Sequence, residues 1–253
     1  MEQKQVVVNG LLLSFIYQPA AGAKHTLLFL HGWRSNKEVW RGVVSQLSAV
    51  SCQLSALDLP GFGGSQVPPD GFTVGDYAHV VEEFIEKMGF KNVILVGHSF
   101  GGRVGIKLAA SHPQIISKLV LVDSAGFAMG GSKKGAMSLG AKIVRPFFKP
   151  KFMQPLRKKI YQNIGAEDYL ATPELQRTFV NTVSEDLSED MKNIAVPTLI
   201  IYGQNDTDTP PAFGEKMQAL IPNSKFLILN NAGHFSFLDK QQEFISELNN
   251  FIA

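Results

Sequence analysis

The chain has a single cysteine, Cys52, in 253 residues. An internal disulfide framework is therefore excluded, and because Cys52 opens the apolar stretch 52–57 it reads as a buried thiol. Charge is also scarce. Asp, Glu, Lys and Arg make up 18% of the chain, below the ~25% of an ordinary globular composition. The 24 basic and 22 acidic residues nearly cancel to +2, which leaves no global field to draw the chain to nucleic acid. No apolar run reaches the ~18 residues of a membrane span; Val6 to Tyr17 is apolar but broken by Asn9-Gly10. The opening Met1-Glu2-Gln3-Lys4-Gln5 carries no signal-peptide apolar region. We expect a soluble cytoplasmic protein, with no stable membrane insertion and no nucleic-acid partner. Nothing in the sequence speaks to oligomeric state.

What is present is apolar: 45% of residues are hydrophobic, enough for one large core. Val6-Val7-Val8, Asn9-Gly10 and Leu11 to Tyr17 read as a β-hairpin, since both turn positions tolerate positive φ. Strands follow at Thr26–Leu30 and Leu54–Leu57, with a helix at about Glu38–Ser48 between them. Thr73 to Met88 is an amphipathic helix, Thr73 and Asp76 forming a capping box and Gly89 ending it. Lys118–Val122, Thr198–Tyr202 and Phe226–Leu229 read as strands, and Pro210–Ile221 and Asp239–Ile252 as helices. Strands alternating with helices predict an α/β fold with a mostly parallel sheet covered on both faces. From about Phe127 to Asn193 the alternation stops and only short helical patterns remain. We read 127–193 as an insertion into a sheet domain made of 1–126 and 194–253.

The chemistry centres on Val93 to Gly102. Val93-Ile94-Leu95-Val96 is a buried strand, Gly97-His98-Ser99-Phe100-Gly101 fits G-x-S-x-G, and Arg103 to Ala110 continue as a helix. In that context the turn lifts the Ser99 hydroxyl to the positive end of a helix. Gly97 and Gly101 flank it where a Cβ would collide with the turn or the next strand.

A serine hydroxyl needs a base. The six histidines are His25, His31, His79, His98, His112 and His234. His25 begins a strand, His79 lies in the amphipathic helix, His112 sits at a helix end, and the backbone of the turn points His98 away from Ser99. His234, in Asn231-Ala232-Gly233-His234-Phe235, follows a strand, where open α/β sheets place their ligands. It is the expected general base. An acid must orient it. Asp206, after the strand ending at Tyr202, gives the order Ser, Asp, His; Asp208 is the second candidate and Asp123 the third. A tetrahedral intermediate needs two N–H donors, here the backbone of Phe100 and of Trp33 in His31-Gly32-Trp33. His31 would hold loops together around them, and Gly32, His98 and Phe235 would line or back the pocket. No clustered His/Cys spacing suggests zinc.

Taken together, His31-Gly32-Trp33, Asp58-Leu59-Pro60-Gly61-Phe62-Gly63-Gly64-Ser65, Gly97 to Gly102, Pro197 to Asp206 and Ala232-Gly233-His234-Phe235 resemble the α/β-hydrolase superfamily over nearly the whole chain. The resemblance implies an eight-stranded sheet, a helical cap after the sixth strand, no metal or organic cofactor, and a small-molecule ester substrate of a carboxylesterase. It also keeps other activities open, because fold does not fix substrate: carbon–carbon bond hydrolysis or lysis, lactonase, thioesterase and cofactor-free perhydrolase chemistry. Gly101-Gly102-Arg103 is similar to the menaquinone-pathway lyase branch, in which an arginine at that place helps bind a carboxylated substrate, although that branch usually has tyrosine where His98 stands. A non-catalytic small-ligand-binding protein on the same fold is the alternative from another class.

The insertion has its own pattern. From Lys133 to Lys159 there are nine basic residues and no acidic one, with Phe147, Phe148 and Phe152 interleaved. The ordinary reading is a solvated helical face over buried aromatics. The sharper one is a local field for an anionic or amphipathic acyl substrate, in which Phe147 and Phe148 line the pocket.

Overall fold

A computed structural model describes residues 1–47, 52–128 and 167–253. Its centre is one eight-stranded sheet in the order β1-β2-β4-β3-β5-β6-β7-β8. The strands are β1 (Glu2–Val8), β2 (Leu11–Gln18), β3 (His25–Leu30), β4 (Cys52–Leu57), β5 (Val93–His98), β6 (Ile116–Val122), β7 (Thr198–Gly203) and β8 (Ser224–Leu229). β1 and β2 form the expected hairpin, with Asn9 at φ 47° and Gly10 at φ 76°, the two positive angles a tight hairpin turn requires. β2 runs antiparallel to β4, and every later pairing is parallel.

The central strands are apolar on both sides because both faces are covered. Leu28, Leu30, Leu95, Leu119, Leu121 and Ile200 enter one cluster, and Leu27, Phe29, Ile94, Val96, Val120 and Ile201 the other. This is the period-2 division that turns a continuous apolar run into two cores. The first core is closed by α2 (Val74–Met88), α3 (Phe100–Ser111) and α7 (Pro211–Leu220), the second by α1 (Arg41–Gln46) and α9 (Gln241–Ile252). The capping box of α2 is formed: the Asp76 N–H donates to Thr73 Oγ1 at 3.2 Å and the Thr73 N–H to Asp76 Oδ2 at 2.7 Å.

Two expected helices differ in detail. The segment Glu38–Ser48 divides into a 3₁₀ turn, Lys37–Trp40, capped by Asn36, and the short α1; Ser48 lies outside the described residues. Lys37 is drawn inward here by an ion pair of 2.7 Å to the buried Asp58, and the chain follows it. The last helix is broken at Lys240, whose φ of −128° separates α8 (Ser236–Asp239) from α9.

Between β6 and β7 the described residues contain three short α-helices, α4 (Glu167–Ala171), α5 (Gln176–Ser184) and α6 (Ser188–Lys192), and no strand. No described helix is long and apolar enough to cross a membrane. The basic segment 133–159, with Phe147, Phe148 and Phe152, falls outside the described residues.

Candidate active site

The turn after β5 is a constrained piece of backbone at the sheet's carboxyl edge. Ser99 sits at φ 50°, ψ −108°, outside the regions that an L-residue occupies without strain. Close packing holds it there. A Cβ on Gly101 would stand 2.6 Å from the Leu30 carbonyl oxygen, and one on Gly97 would meet the Gly101 backbone. The helix and the two strands therefore touch through bare backbone, and only glycine allows that approach. The expectation that Cβ atoms would collide at these two positions is met by these contacts.

α3 starts at Phe100 directly after the serine. Among the described residues, neither the Phe100 N–H nor the Trp33 N–H has an acceptor within the protein. For Phe100 the cause is its place at a helix start, where the first N–H groups lack an intrahelical partner. For Trp33 it is a loop shaped so that the Ser35 N–H, not its own, bonds the Gly32 carbonyl, at 3.2 Å. Gly32 lies close beneath the serine: a Cβ there would be 3.2 Å from Ser99 Cβ and 2.9 Å from His98 Nδ1.

His234 stands in the loop after β8, and its Nδ1 is 2.8 Å from Asp206 Oδ2. A carboxylate facing Nδ1 makes that nitrogen the donor, which leaves Nε2 with a free lone pair. Burial works against protonating His234, but the Asp206 hydrogen bond and the carboxylates of Asp206, Asp123 and Asp208 outweigh it, so its pKa is raised above 6.5. Asp206 has no exposed side-chain surface. Burial favours its neutral form, yet the His234 bond and the Thr209 hydrogen bonds prevail and lower its pKa. No hydrogen bond joins Ser99 to His234 among the described residues; nucleophile–base contacts are commonly looser before substrate enters.

The other two acid candidates do different work. Asp208 is exposed, and its N–H donates to Asp206 Oδ1 at 2.9 Å. Asp123 accepts from the Gly203 N–H at 2.8 Å and the Ser236 N–H at 3.0 Å. It ties the loop carrying Asp206 to the loop carrying His234. Burial raises its pKa to about 7, opposed by those two donors. Asp206, Asp208 and His234 bring ligand atoms within 4.8 Å of one another, but the facing atoms of His234 and Asp206 are already bonded to each other.

Both buried histidines near the serine are neutral supports. His31 Nδ1 donates to the Gly32 carbonyl at 2.7 Å and its Nε2 accepts from the Leu59 N–H at 3.0 Å, joining the loops after β3 and β4. His98 Nε2 donates to the His234 carbonyl at 2.7 Å. Burial pushes His31 down to about 4 and His98 down to about 3. Phe235 is 40% exposed and packs on His98, ring centroids 4.9 Å apart.

Residues 27–247 match the Alpha/beta hydrolase family. The chain belongs to that family. It is 29% identical over 261 residues to a pimeloyl-[acyl-carrier protein] methyl ester esterase of Edwardsiella ictaluri, covering 94% of this chain and 98% of the relative. It is 23% identical over 268 residues to a 2-hydroxy-6-oxononadienedioate/2-hydroxy-6-oxononatrienedioate hydrolase of a Pseudomonas species, covering 97% and 93%. Among solved structures, the enol-lactonase from Burkholderia xenovorans superposes with a TM-score of 0.78 at 21% identity, over 98% of this chain and 99% of that one. That likeness carries the fold alone.

Sequence reasoning missed two parts of this α/β-hydrolase site. Thr209 donates its N–H to Asp206 Oδ1 at 3.0 Å, and its hydroxyl lies 2.8 Å from Asp206 Oδ2 and 3.2 Å from His234 Nδ1. The signal was present, since an aspartate followed three residues later by threonine is a local turn pattern. The tie through Asp123 had no such signal, because its partners lie 80 and 113 residues away.

Proposed function

We propose that the protein is a serine hydrolase cleaving carboxylic esters of small to medium acyl chains through an acyl-enzyme. Ser99 Oγ attacks the ester carbonyl as His234 Nε2 takes its proton. Asp206 keeps the proton on Nδ1 and stabilises the imidazolium. The Phe100 and Trp33 N–H groups receive the oxyanion. His234 then returns the proton to the leaving alkoxide, and a water activated by the same Nε2 releases the acid. In this reading residues 127–193 form a cap on a core of 1–126 and 194–253. The single observation that carries it is Ser99, held at a strained φ of 50° beside an unpartnered helix-start N–H. The His234–Asp206 pair at 2.8 Å supports it. Trp33 packs against Phe62, Phe100 and Phe179 at 4.9, 5.1 and 5.2 Å between centroids, an aromatic cluster that suits an apolar acyl group. The esterase named among the relatives agrees with this chemistry.

The test is hydrolysis of p-nitrophenyl esters from acetate to palmitate by wild type and Ser99→Ala. Turnover of the short esters that disappears in the variant supports the reading. Fluorophosphonate labelling of Ser99 without ester turnover moves the assignment to carbon–carbon, lactone or thioester substrates. Neither turnover nor labelling leaves the binding protein. Arg103, the residue behind the lyase-like alternative, donates Nη1 and Nη2 to the Phe127 and Glu185 carbonyls, and its buried Nε has no partner among the described residues.

A further inference from the structure

Arg103 lies one helical turn after Ser99, with its N–H bonded to the Ser99 carbonyl at 3.3 Å, and is only 3% exposed. Its side chain leaves the sheet domain. Nη1 donates to the Phe127 carbonyl at 3.3 Å and Nη2 to the Glu185 carbonyl. Those carbonyls belong to two strands of chain running side by side: the Leu187 N–H bonds the Gly126 carbonyl at 3.0 Å and the Ala128 N–H bonds Asp186 Oδ2 at 3.2 Å. Lys107, one turn further along α3, pairs with Glu185 at 2.9 Å and Asp190 at 3.1 Å. Burial lowers the Arg103 pKa to about 10, opposed by Glu185 and Asp186, so the guanidinium stays charged at neutral pH. A buried charge of this kind is held at a cost in desolvation that only fixed partners offset. One partner, the Glu185 carbonyl, is at the C-cap of α5, and the other, the Phe127 carbonyl, is in the segment after β6.

α5 reaches the candidate site. Phe179 packs on Trp33, whose N–H is one of the two free donors, while Thr178 Oγ1 accepts from the Gly71 N–H at 3.1 Å and Asn181 donates to the Gly71 carbonyl at 2.7 Å. One end of the helix is thus fixed to α3 and its middle both to the loop before α2, at Gly71, and through Phe179 to Trp33. We propose that Arg103 is a positioning residue that sets acyl-chain selectivity by anchoring α5, and so Phe179, against Trp33. The inference rests on the ester-hydrolase reading for its kinetic consequence but not for its structural one.

The experiment is a double-mutant cycle of Arg103→Met and Phe179→Ala, with Arg103→Lys beside it. Two readouts are taken: kcat/KM on p-nitrophenyl acetate and octanoate, and tryptophan emission. The two tryptophans are Trp33 and Trp40; Trp40 is fully buried in the opposite core and serves as a constant. We expect Arg103→Met to change the octanoate-to-acetate ratio at least fivefold, chiefly through KM, and to red-shift the emission as Phe179→Ala does. The double variant adds little to either single one, and Arg103→Lys, able to reach one carbonyl, retains part of the effect. Equal losses on both esters, additive effects in the cycle, or an emission maximum unmoved by Arg103→Met would each overturn the proposal. The emission arm reads out even if wild type turns over no ester, so failure of the hydrolase reading and failure of this one are distinct results. If Arg103→Met does not fold, Lys107→Met releases the Glu185 side chain from α3 and replaces it in the same cycle.

Discussion

Replacing Ser99 by glycine should make the protein more stable while removing its nucleophile. Ser99 sits at φ 50°, ψ −108°. The mirror image of that point is φ −50°, ψ +108°, a well-populated extended region, so a glycine is unstrained there and any L-residue is not. A strained backbone of this kind costs about 1–3 kcal/mol. Against the gain stands the extra freedom of glycine in the unfolded chain, about 0.4–1 kcal/mol. The serine hydroxyl makes no hydrogen bond among the described residues, so its loss subtracts little. The net for Ser99→Gly is a stabilisation of about 1 kcal/mol, or roughly 2–4 °C in Tm for a chain of this size. Ser99→Ala keeps the Cβ and the strain, and should unfold within a few tenths of a kcal/mol of wild type. Urea and thermal unfolding of the three proteins provide the assay. A Ser99→Gly protein no more stable than Ser99→Ala would refute the claim that the turn stores strain.

The remaining predictions concern the charges. His234 must be neutral to accept a proton, and its pKa is raised above 6.5, so kcat/KM for an ester should rise with pH through a value above 6.5 and then level off. Because the folded pKa of His234 exceeds the unfolded one, its protonation contributes stability that is fully present below pH 6.5 while Asp206 stays ionised and is lost as pH rises through the folded value; Asp206→Ala should remove this slope from a plot of unfolding free energy against pH. Asp206→Asn should lower kcat by about three to four orders of magnitude with folding intact, and a loss under tenfold would transfer the orienting role elsewhere. Asp58→Ala takes from the Lys37 ammonium, which is 5% exposed, its 2.7 Å partner and leaves it only Glu38 Oε1 at 3.9 Å, and should cost about 3 kcal/mol in a denaturant titration. Lys37→Met added to Asp58→Ala should recover only part of that, since Asp58 also accepts from the Lys37 and Gly64 N–H groups at 2.6 and 2.8 Å.

What could be read from sequence was whatever the chain does over short distances. The hairpin is written in two adjacent residues, Asn9 and Gly10, the cap of α2 in Thr73 and Asp76, and the serine turn in five residues between an apolar strand and a helix. In each case the signal and the structure it specifies fall within one turn. The 3₁₀ turn at Lys37–Trp40 departs from the expected helix for the opposite reason. Its geometry is set by Asp58, a residue 21 positions later, whose buried carboxylate takes both the Lys37 ammonium and the Lys37 N–H. Helical periodicity carries no trace of such a demand.

The same distinction runs through the candidate site. Ser99, His234 and Asp206 are legible because each follows a strand in a parallel sheet, and parallel strands bring the loops at their carboxyl ends to one edge. Strand order then makes neighbours of residues far apart in sequence without any further signal. What strand order does not specify is how rigidly those loops are held to each other. That depends on side chains that tie one segment to another. Asp123 reaches Gly203 and Ser236, His31 reaches Leu59, His98 reaches the His234 carbonyl, and Arg103 reaches Phe127 and Glu185. Every one of these ends on a backbone atom of the second segment. A backbone acceptor or donor is present whatever residue occupies the position, so the partner leaves no mark in the sequence. Side-chain pairs such as His234–Asp206 constrain two residue types and can be guessed. Side-chain-to-backbone ties constrain one, and a lone buried Asp, His or Arg looks alike whether it is a strut or an accident.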